Sequence, residues 1–474
     1  MKKLSRDGYT IHKSDFTSKE IKTIKDDLTA KPYTMDDFSN GKEKKFYLYL
    51  ESPKKLYLPR FYGLNHFGVP DIDKIGDGET IDINFKGGLR KEQIPVFDIS
   101  YKQIMDTGGG IVSLKCGGGK TVLALYILSQ IRMKTLVVVH KDFLMTQWYD
   151  RILEFIPDAK IGKIQQDTID IEGKDIVLAM VQSLSMKEYP EDTFQSFGLV
   201  IFDECHHLGA EVFSKCMAKV QSKYMLGLSA TPNRKDGLRK VFEWYIGDIA
   251  YMTKDTKDDN AIVNIIKYYS EDQKYSKIEN TFNGKPCVPK MINNICNYVP
   301  RTDLIIEQLL PLYEEGRCIL VLSDRRNHLS DIEKLLKKHD IECGYYVGGM
   351  KPQGLRDAQE KNIILGTFSM ASEGMDIPKL NTMILASPKS DIVQSVGRIL
   401  RQKKETRKFT PLIIDIQDEF ATFKNQSKKR LAHYKRCKYD ITIYDLDGTN
   451  YKYTKQSKEQ KKDKKIENIE DCLI

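Results

Sequence analysis

The sequence predicts an α/β protein built on two doubly wound parallel sheets. Two observations carry that expectation. Apolar runs of strand length alternate with segments of helical spacing in two blocks, residues 86–250 and 301–440. The residues with chemistry to offer follow directly after the strands, where open parallel sheets bind their ligands.

In the first block, Ile111-Val112-Ser113-Leu114 reads as a strand and Val122–Leu128 as the start of a helix. Between them lies Lys115-Cys116-Gly117-Gly118-Gly119-Lys120-Thr121. Strand, glycine-rich loop and helix are the context of a phosphate-binding loop. Consecutive glycines let backbone N–H groups turn toward phosphate oxygens without Cβ clashes, and the helix N-terminus adds partial positive charge. Lys120 is then expected on the β- and γ-phosphates, and the Thr121 hydroxyl on Mg2+. The eight-residue pattern departs from the usual one by having Leu114 where a glycine is common.

Continuous apolar strands follow at Thr135–His140, Ile176–Met180, Gly198–Phe202 and Met225–Leu228, with helical spacing through Phe143, Leu144, Gln147, Trp148 and Ile152. Asp203-Glu204 ends one of these strands. An acidic residue there can hold Mg2+ through water, and its neighbour can act as general base toward an attacking water. Ahead of the loop, Arg90 and Gln93 open the block. The Gln93 amide offers the donor and acceptor that an adenine edge needs, and a solvated helix start is the alternative.

Residues 1–85 lack these signals and form a small N-terminal accessory domain. Aromatic and basic residues interleave in two strand-like pieces, Phe46–Leu50 and Leu56–Gly63. They suit either a base-stacking, phosphate-gripping surface or, the favoured reading, a β-rich module whose tyrosines form its own core. Residues 251–300 read as a connector or insertion. In the second block, Asp303–Leu310 reads as helical, and strands are expected at Cys318–Leu322, Ile341–Val347, Asn362–Thr367 and Thr382–Ala386. Gln394-Ser395-Val396-Gly397-Arg398-Ile399-Leu400-Arg401 then puts two arginines three apart, on one helix face, where they can clamp phosphate charge; a solvated basic helix is the reading preferred for this block by itself. Residues 441–474 form a Lys-rich tail, solvated or nucleic-acid binding.

Composition bounds the rest. The 474 residues suffice for two to four domains, with 41% hydrophobic and 30% charged residues. No apolar run reaches membrane-span length, and the N-terminus lacks a signal-peptide stretch. Nine cysteines without a CxxC pair argue for reduced thiols and against zinc. A net charge of +9 is compatible with nucleic acid. No carboxylate cluster beyond Asp203-Glu204 supports a nuclease.

Taken in order, these stretches resemble the superfamily 2 helicases of the DExH type, over roughly Leu89 to Lys438. Cys116–Thr121 resembles motif I, Asp203-Glu204-Cys205-His206 motif II and Ser229-Ala230-Thr231 motif III. Gly366-Thr367 with Glu373-Gly374-Met375-Asp376-Ile377-Pro378 resembles motif V, and Gln394–Arg401 motif VI. The likeness is nearest to the XPB and UvsW branch and its kin in large DNA viruses. Arg234-Lys235-Asp236 resembles that branch's Arg-Glu-Asp motif with Lys in place of Glu, and Leu58–Gly63 is similar to the transcript-release helicase of poxviruses.

The resemblance implies two tandem RecA-like domains with ATP between them. Lys120, Thr121, Asp203 and Glu204 would come from the first, and Arg398 and Arg401 would reach across as arginine fingers. Arg90, Gln93, Gly374 and Asp376 join the nucleotide contacts, and Ser229, Thr231, His206 and Gln394 couple ATP state to movement. ATP and Mg2+ are the implied cofactors and DNA, single- or double-stranded, the implied partner, with RNA or an RNA–DNA hybrid as alternatives. Transcript release in viral transcription is the implied setting, with repair or recombination beside it; the location would be the nucleus, a cytoplasmic viral factory or the virion. A double-strand translocase that remodels protein–DNA complexes, and a nucleic-acid scaffold with a silent ATPase fold, are the rival expectations.

Overall fold

The structure is a computed structural model. It describes the chain apart from residues 32–44, 116, 191, 206–209, 231–238, 254–260, 374, 376, 403–405, 446–449 and 453–474. The chain divides into two units, Met1–Lys254 and Asp255–Ile474.

Unit 1 begins with β1 (Lys3–Ser5), β2 (Gly8–His12), α1 (Ser18–Asp27), β3 (Thr29–Ala30), β4 (Phe46–Tyr47), β5 (Leu50–Glu51), β6 (Lys55–Leu58), α2 (Arg60–Phe67) and β7 (Ile72–Asp73). Five of these strands form a sheet in the order β5-β6-β2-β1-β7. The second aromatic piece is therefore half strand and half helix. Pro59 caps the start of α2 and Gly68, at φ 75°, ends it. Tyr9 and Tyr62 are buried, and Tyr62 packs edge-on against Trp244, so these tyrosines build a core, while Tyr47 is exposed.

The module is also tied to the larger sheet beside it. Arg6 donates to the carbonyls of Phe194 and Gln221 at 2.7 and 2.8 Å, and buried Arg60 to those of Ser222 and Lys223 at 3.0 and 2.9 Å.

The larger part of unit 1 runs α3 (Ile94–Thr107), β8 (Gly109–Ser113), α4 (Lys120–Ile131), β9 (Thr135–Val139), α5 (Asp142–Phe155), β10 (Ile161–Gln165), β11 (Thr168–Ile169), β12 (Ile176–Met180), α6 (Val181–Met186), β13 (Leu199–Phe202), α7 (Ala210–Lys219), β14 (Tyr224–Ser229), α8 (Arg239–Ile246) and β15 (Ile249–Met252). Its sheet is ordered β11-β10-β12-β9-β13-β14-β8-β15 and is parallel except for the β10–β11 pair. Strands covered on both faces need apolar residues at every position. In β9, Leu136 and Val138 enter the core cluster shared with the N-terminal module, while Val137 and Val139 enter the cluster under α4 and α5.

Unit 2 runs β16 (Ile262–Tyr268), α9 (Gln273–Ser276), α10 (Val288–Asn297), α11 (Val299–Glu314), β17 (Ile319–Leu322), α12 (Arg326–Lys337), β18 (Gly344–Tyr346), α13 (Pro352–Glu360), β19 (Ile363–Gly366), α14 (Phe368–Glu373), β20 (Thr382–Leu385), α15 (Val393–Ile399), β21 (Leu412–Asp418), α16 (Phe423–Arg436), β22 (Asp440–Tyr444) and β23 (Asn450–Lys452). Its sheet order is β18-β19-β17-β20-β21-β16-β22-β23, parallel except for the last pair.

Two expectations need correction here. The stretch 251–300 is no mere connector, because β15 completes the first sheet and β16 is an interior strand of the second. The segment after 440 does not leave the fold at once, since β22 and β23 extend that sheet.

Buried ion pairs brace unit 2. Arg301 makes a bidentate pair with Asp418 at 2.7 and 3.0 Å, and Arg430 pairs with Asp415 at 2.9 Å. All four side chains are at most 2% exposed. Removing one partner of such a pair costs about 3–5 kcal/mol, because the other charge is left buried and alone. Among the described residues, no helix is long and apolar enough to cross a membrane.

Candidate active site

The phosphate loop leaves the end of β8 and enters α4 at Lys120. Gly117 and Gly119 have φ of 79° and 74°, in the left-handed region where a side chain is strained. A Cβ on Gly119 would also lie 2.6 Å from Gln93 Nε2. Gln93 is not the solvated helix start that was the alternative expectation, and in this structure its amide is engaged with the loop. Its amide nitrogen donates to the Gly118 and Gly119 carbonyls at 3.3 and 3.1 Å, and its oxygen accepts the Arg90 N–H at 3.1 Å. Gln93 is buried and braces the loop from beneath. Arg90 Nη1 reaches the Gly117 carbonyl at 3.5 Å.

Strand β13 lies two places from β8 in the sheet, and it delivers Asp203 and Glu204 beside Lys120. Lys120 Nζ pairs with Glu204 Oε1 at 2.5 Å, with both side chains largely screened from solvent. Glu204 Oε2 accepts the Ala230 N–H at 3.4 Å, which joins motif II to the segment after β14. Glu204 has φ 46°. A non-glycine residue held there costs about 1–2 kcal/mol, the kind of local strain that gathers at functional sites.

Asp203 is buried, and both of its oxygens are held. Oδ1 accepts the Glu204 N–H at 2.9 Å and Oδ2 accepts the Trp148 indole N–H at 2.8 Å. Burial pushes its carboxyl above the usual range, the Glu204 charge adds to this, and Lys120 opposes it. Burial likewise raises the Cys205 thiol to about 12, so it stays protonated and inert. Ser229 is buried at the end of β14. The Thr121 hydroxyl and the Asp203 carboxylate are hard oxygen donors, and the left-handed glycines let loop N–H groups turn toward a phosphate; the residues suit Mg2+ and a nucleotide phosphate.

In unit 2 the two arginines do not share a helix face. Helix α15 ends at Ile399, so Arg401 lies beyond it. Arg398 is buried, and its Nε and Nη1 donate to the carbonyls of Ala371 and Met375 at 2.6 and 2.9 Å. Its Nη2 donates to the Ser372 carbonyl. Its guanidinium thus straps the segment that resembles motif V. Arg401 and Gln394 are partly exposed. Cys116, His206, Thr231, Gly374 and Asp376, and with them Arg234, Lys235 and Asp236, lie outside the described residues.

Sequence reasoning placed Trp148 only as a helix position. The available signal was that a buried indole N–H needs an acceptor.

Two family descriptions match the chain: "Type III restriction enzyme, res subunit" over residues 86–234 and "Helicase conserved C-terminal domain" over 301–403. A protein of Acanthamoeba polyphaga mimivirus, provisionally named an ATP-dependent RNA helicase, is 38% identical over 93% of this chain and 86% of its own length. An African swine fever virus protein with the same provisional description is 26% identical over 74% of this chain and 73% of its own. A helicase so named provisionally from Invertebrate iridescent virus 6 is 26% identical over 84% and 92%. Among solved structures, a fragment assigned to the HsdR subunit of a type I restriction enzyme from Vibrio vulnificus aligns with a TM-score of 0.54 at 20% identity, over 78% of this chain and 71% of that one. The shared fold is a tandem of RecA-like parallel sheets, preceded here by the N-terminal module.

Proposed function

Since the chain belongs to the superfamily 2 helicases, with helicases of large DNA viruses among its relatives, we propose that it is a motor that hydrolyses ATP to move along DNA. The observation that carries this reading is the meeting of Lys120, Glu204 and Asp203 beyond the ends of β8 and β13, which only β14 separates. On nucleotide binding Lys120 exchanges Glu204 for the β- and γ-phosphates. The released Glu204 orients or deprotonates a water. The water oxygen bonds to the γ-phosphorus as the bond to the β–γ bridging oxygen breaks, and ADP leaves. Thr121 and Asp203 would hold Mg2+, whose chemistry there would be to neutralise phosphate charge.

Arg401 takes the arginine-finger role. Arg398 is assigned instead to holding the backbone at Ala371, Ser372 and Met375, because its donors are already committed there. The Glu204–Ala230 contact supports coupling of the γ-phosphate to the Ser229 segment. Transcript release in viral transcription is the proposed setting, supported only by the likeness of residues 58–63. In this structure those residues serve docking, through Arg60.

RNA is the second reading, favoured by the names of the mimivirus and African swine fever virus relatives. The test is steady-state ATPase activity with no polymer, single-stranded DNA, double-stranded DNA and RNA, with Lys120→Ala as control. Stimulation by DNA that is lost in the control supports the proposal. Stimulation by RNA alone transfers the motor to RNA. If DNA stimulates, strand displacement against displacement of a bound protein separates unwinding from translocation along a duplex.

A further inference from the structure

The indole of Trp148 crosses the core of unit 1 to reach the site. It projects from α5 into the cluster containing Leu144, Ile152, Val139 and Ile201, and it is 1% exposed. Its one polar atom, Nε1, donates to Asp203 Oδ2 at 2.8 Å. The other carboxylate oxygen takes the N–H of Glu204. A carboxylate held at both oxygens cannot rotate freely, and a buried hydrogen bond in a close-packed core has little room to lengthen.

We infer that Trp148 is a positioning residue for Mg2+ binding: the indole N–H fixes the plane of the Asp203 carboxylate, and the indole senses the arrival of the ion. This deepens the proposed ATPase reading and rests on it. Residues that hydrogen-bond a metal ligand set its orientation and basicity, and their loss typically weakens metal affinity by roughly ten- to hundredfold. The plainer alternative is that Asp203 merely satisfies a buried donor. The two differ in what Trp148→Phe does, because phenylalanine keeps most of the packing and removes only the donor.

The chain has two tryptophans, Trp148 and Trp244, which makes the first measurement spectroscopic. Trp244 packs against Tyr62 of the N-terminal module, away from the machinery, so Trp244→Phe leaves Trp148 as the sole indole emitter. A fluorescently labelled ADP first establishes that nucleotide binds. Unlabelled ADP is then added in EDTA, and Mg2+ or Mn2+ is titrated in.

The expected result is a change in Trp148 emission that follows the divalent ion rather than ADP alone, and that Asp203→Asn abolishes. In Trp148→Phe, labelled ADP binds in EDTA as in the parent, while the Mg2+ concentration needed for tight nucleotide binding rises by roughly tenfold or more. Emission that ignores the ion while nucleotide binds overturns the inference and leaves the ATPase reading standing. An unchanged Mg2+ requirement in a folded Trp148→Phe protein also overturns it. Failure of the parent to bind labelled ADP at all sinks the ATPase reading itself.

Discussion

Lys120 and Glu204 are ion-paired at 2.5 Å, although one begins the helix after the phosphate loop and the other ends a different strand. The pair ties the start of α4 to the end of β13. On the proposed reading, a nucleotide displaces Glu204 to engage Lys120, and the same exchange frees the carboxylate for water.

Glu204→Gln removes the competing charge and the base together. It is expected to bind ATP at least as tightly as the parent and to turn over about 10²–10⁴ times more slowly. Lys120→Ala is expected to lose both binding and turnover. Labelled-nucleotide titration and single-turnover hydrolysis check this. Glu204→Gln with near-normal turnover would take Glu204 out of the chemistry.

Gln93 braces the carbonyl side of the phosphate loop, so Gln93→Ala should weaken every nucleoside triphosphate alike. Two hydrogen bonds to the loop are lost, each with a net worth of about 1 kcal/mol. Comparing KM for ATP and GTP in parent and variant is decisive. A selective loss for ATP, with GTP unaffected, would restore the adenine-edge role.

Arg398 and Arg401 should fail differently. Arg398→Ala leaves three carbonyls without their donor, in a buried setting, and is expected to destabilise the protein by about 3 kcal/mol or more. Arg401→Ala is expected to lower turnover by about 10³–10⁵ with ATP binding retained. Thermal melts run beside ATPase assays separate the two. Equal melting losses, or normal turnover in Arg401→Ala, would reject this division of roles.

His328 gives the fold a pH limit. It is fully buried, with Nδ1 3.1 Å from Ser323 Oγ and Nε2 3.4 Å from Thr302 Oγ1. Burial, helped by the Arg301 charge and opposed by Asp331, lowers its pKa from 6.5 to about 3. The unfolded chain thus binds the extra proton first as pH falls. The stability from a neutral His328 is fully present above 6.5 and lost progressively down to about 3. The loss approaches about 1.4 kcal/mol per pH unit within that window. Denaturant midpoints between pH 7 and 5 should fall more steeply in the parent than in His328→Gln. Parallel slopes would count against a buried neutral histidine.

The strands that could be read in advance were those with unbroken apolar runs, such as β9, β12, β13 and β17. Strand β21 escaped notice because Asp415 and Asp418 interrupt its pattern, and those charges are made tolerable inside a sheet by Arg430 from the helix that follows and Arg301 from α11, more than a hundred residues earlier. Strand β16 was lost in a polar neighbourhood for a related reason. Its partners, β21 and β22, come more than a hundred residues later, so no local pattern announces them. The helix α2 was mistaken for strand because aromatic residues favour both readings of a short segment.

What the sequence alone determined was where the candidate groups stand: a glycine loop with Lys120 and Thr121 between a strand and a helix, and Asp203-Glu204 at a strand end. Local chemistry suffices for that, since only glycines tolerate the loop's backbone and only such spacing puts a lysine at a helix start. What the tertiary structure decided was which group each one faces. It paired Lys120 with Glu204, turned Gln93 toward the loop, committed Arg398 to carbonyls and brought Trp148 to Asp203. Those partners lie on separate elements, and hydrogen bonds of about 3 Å between them exist only after packing has closed the distance.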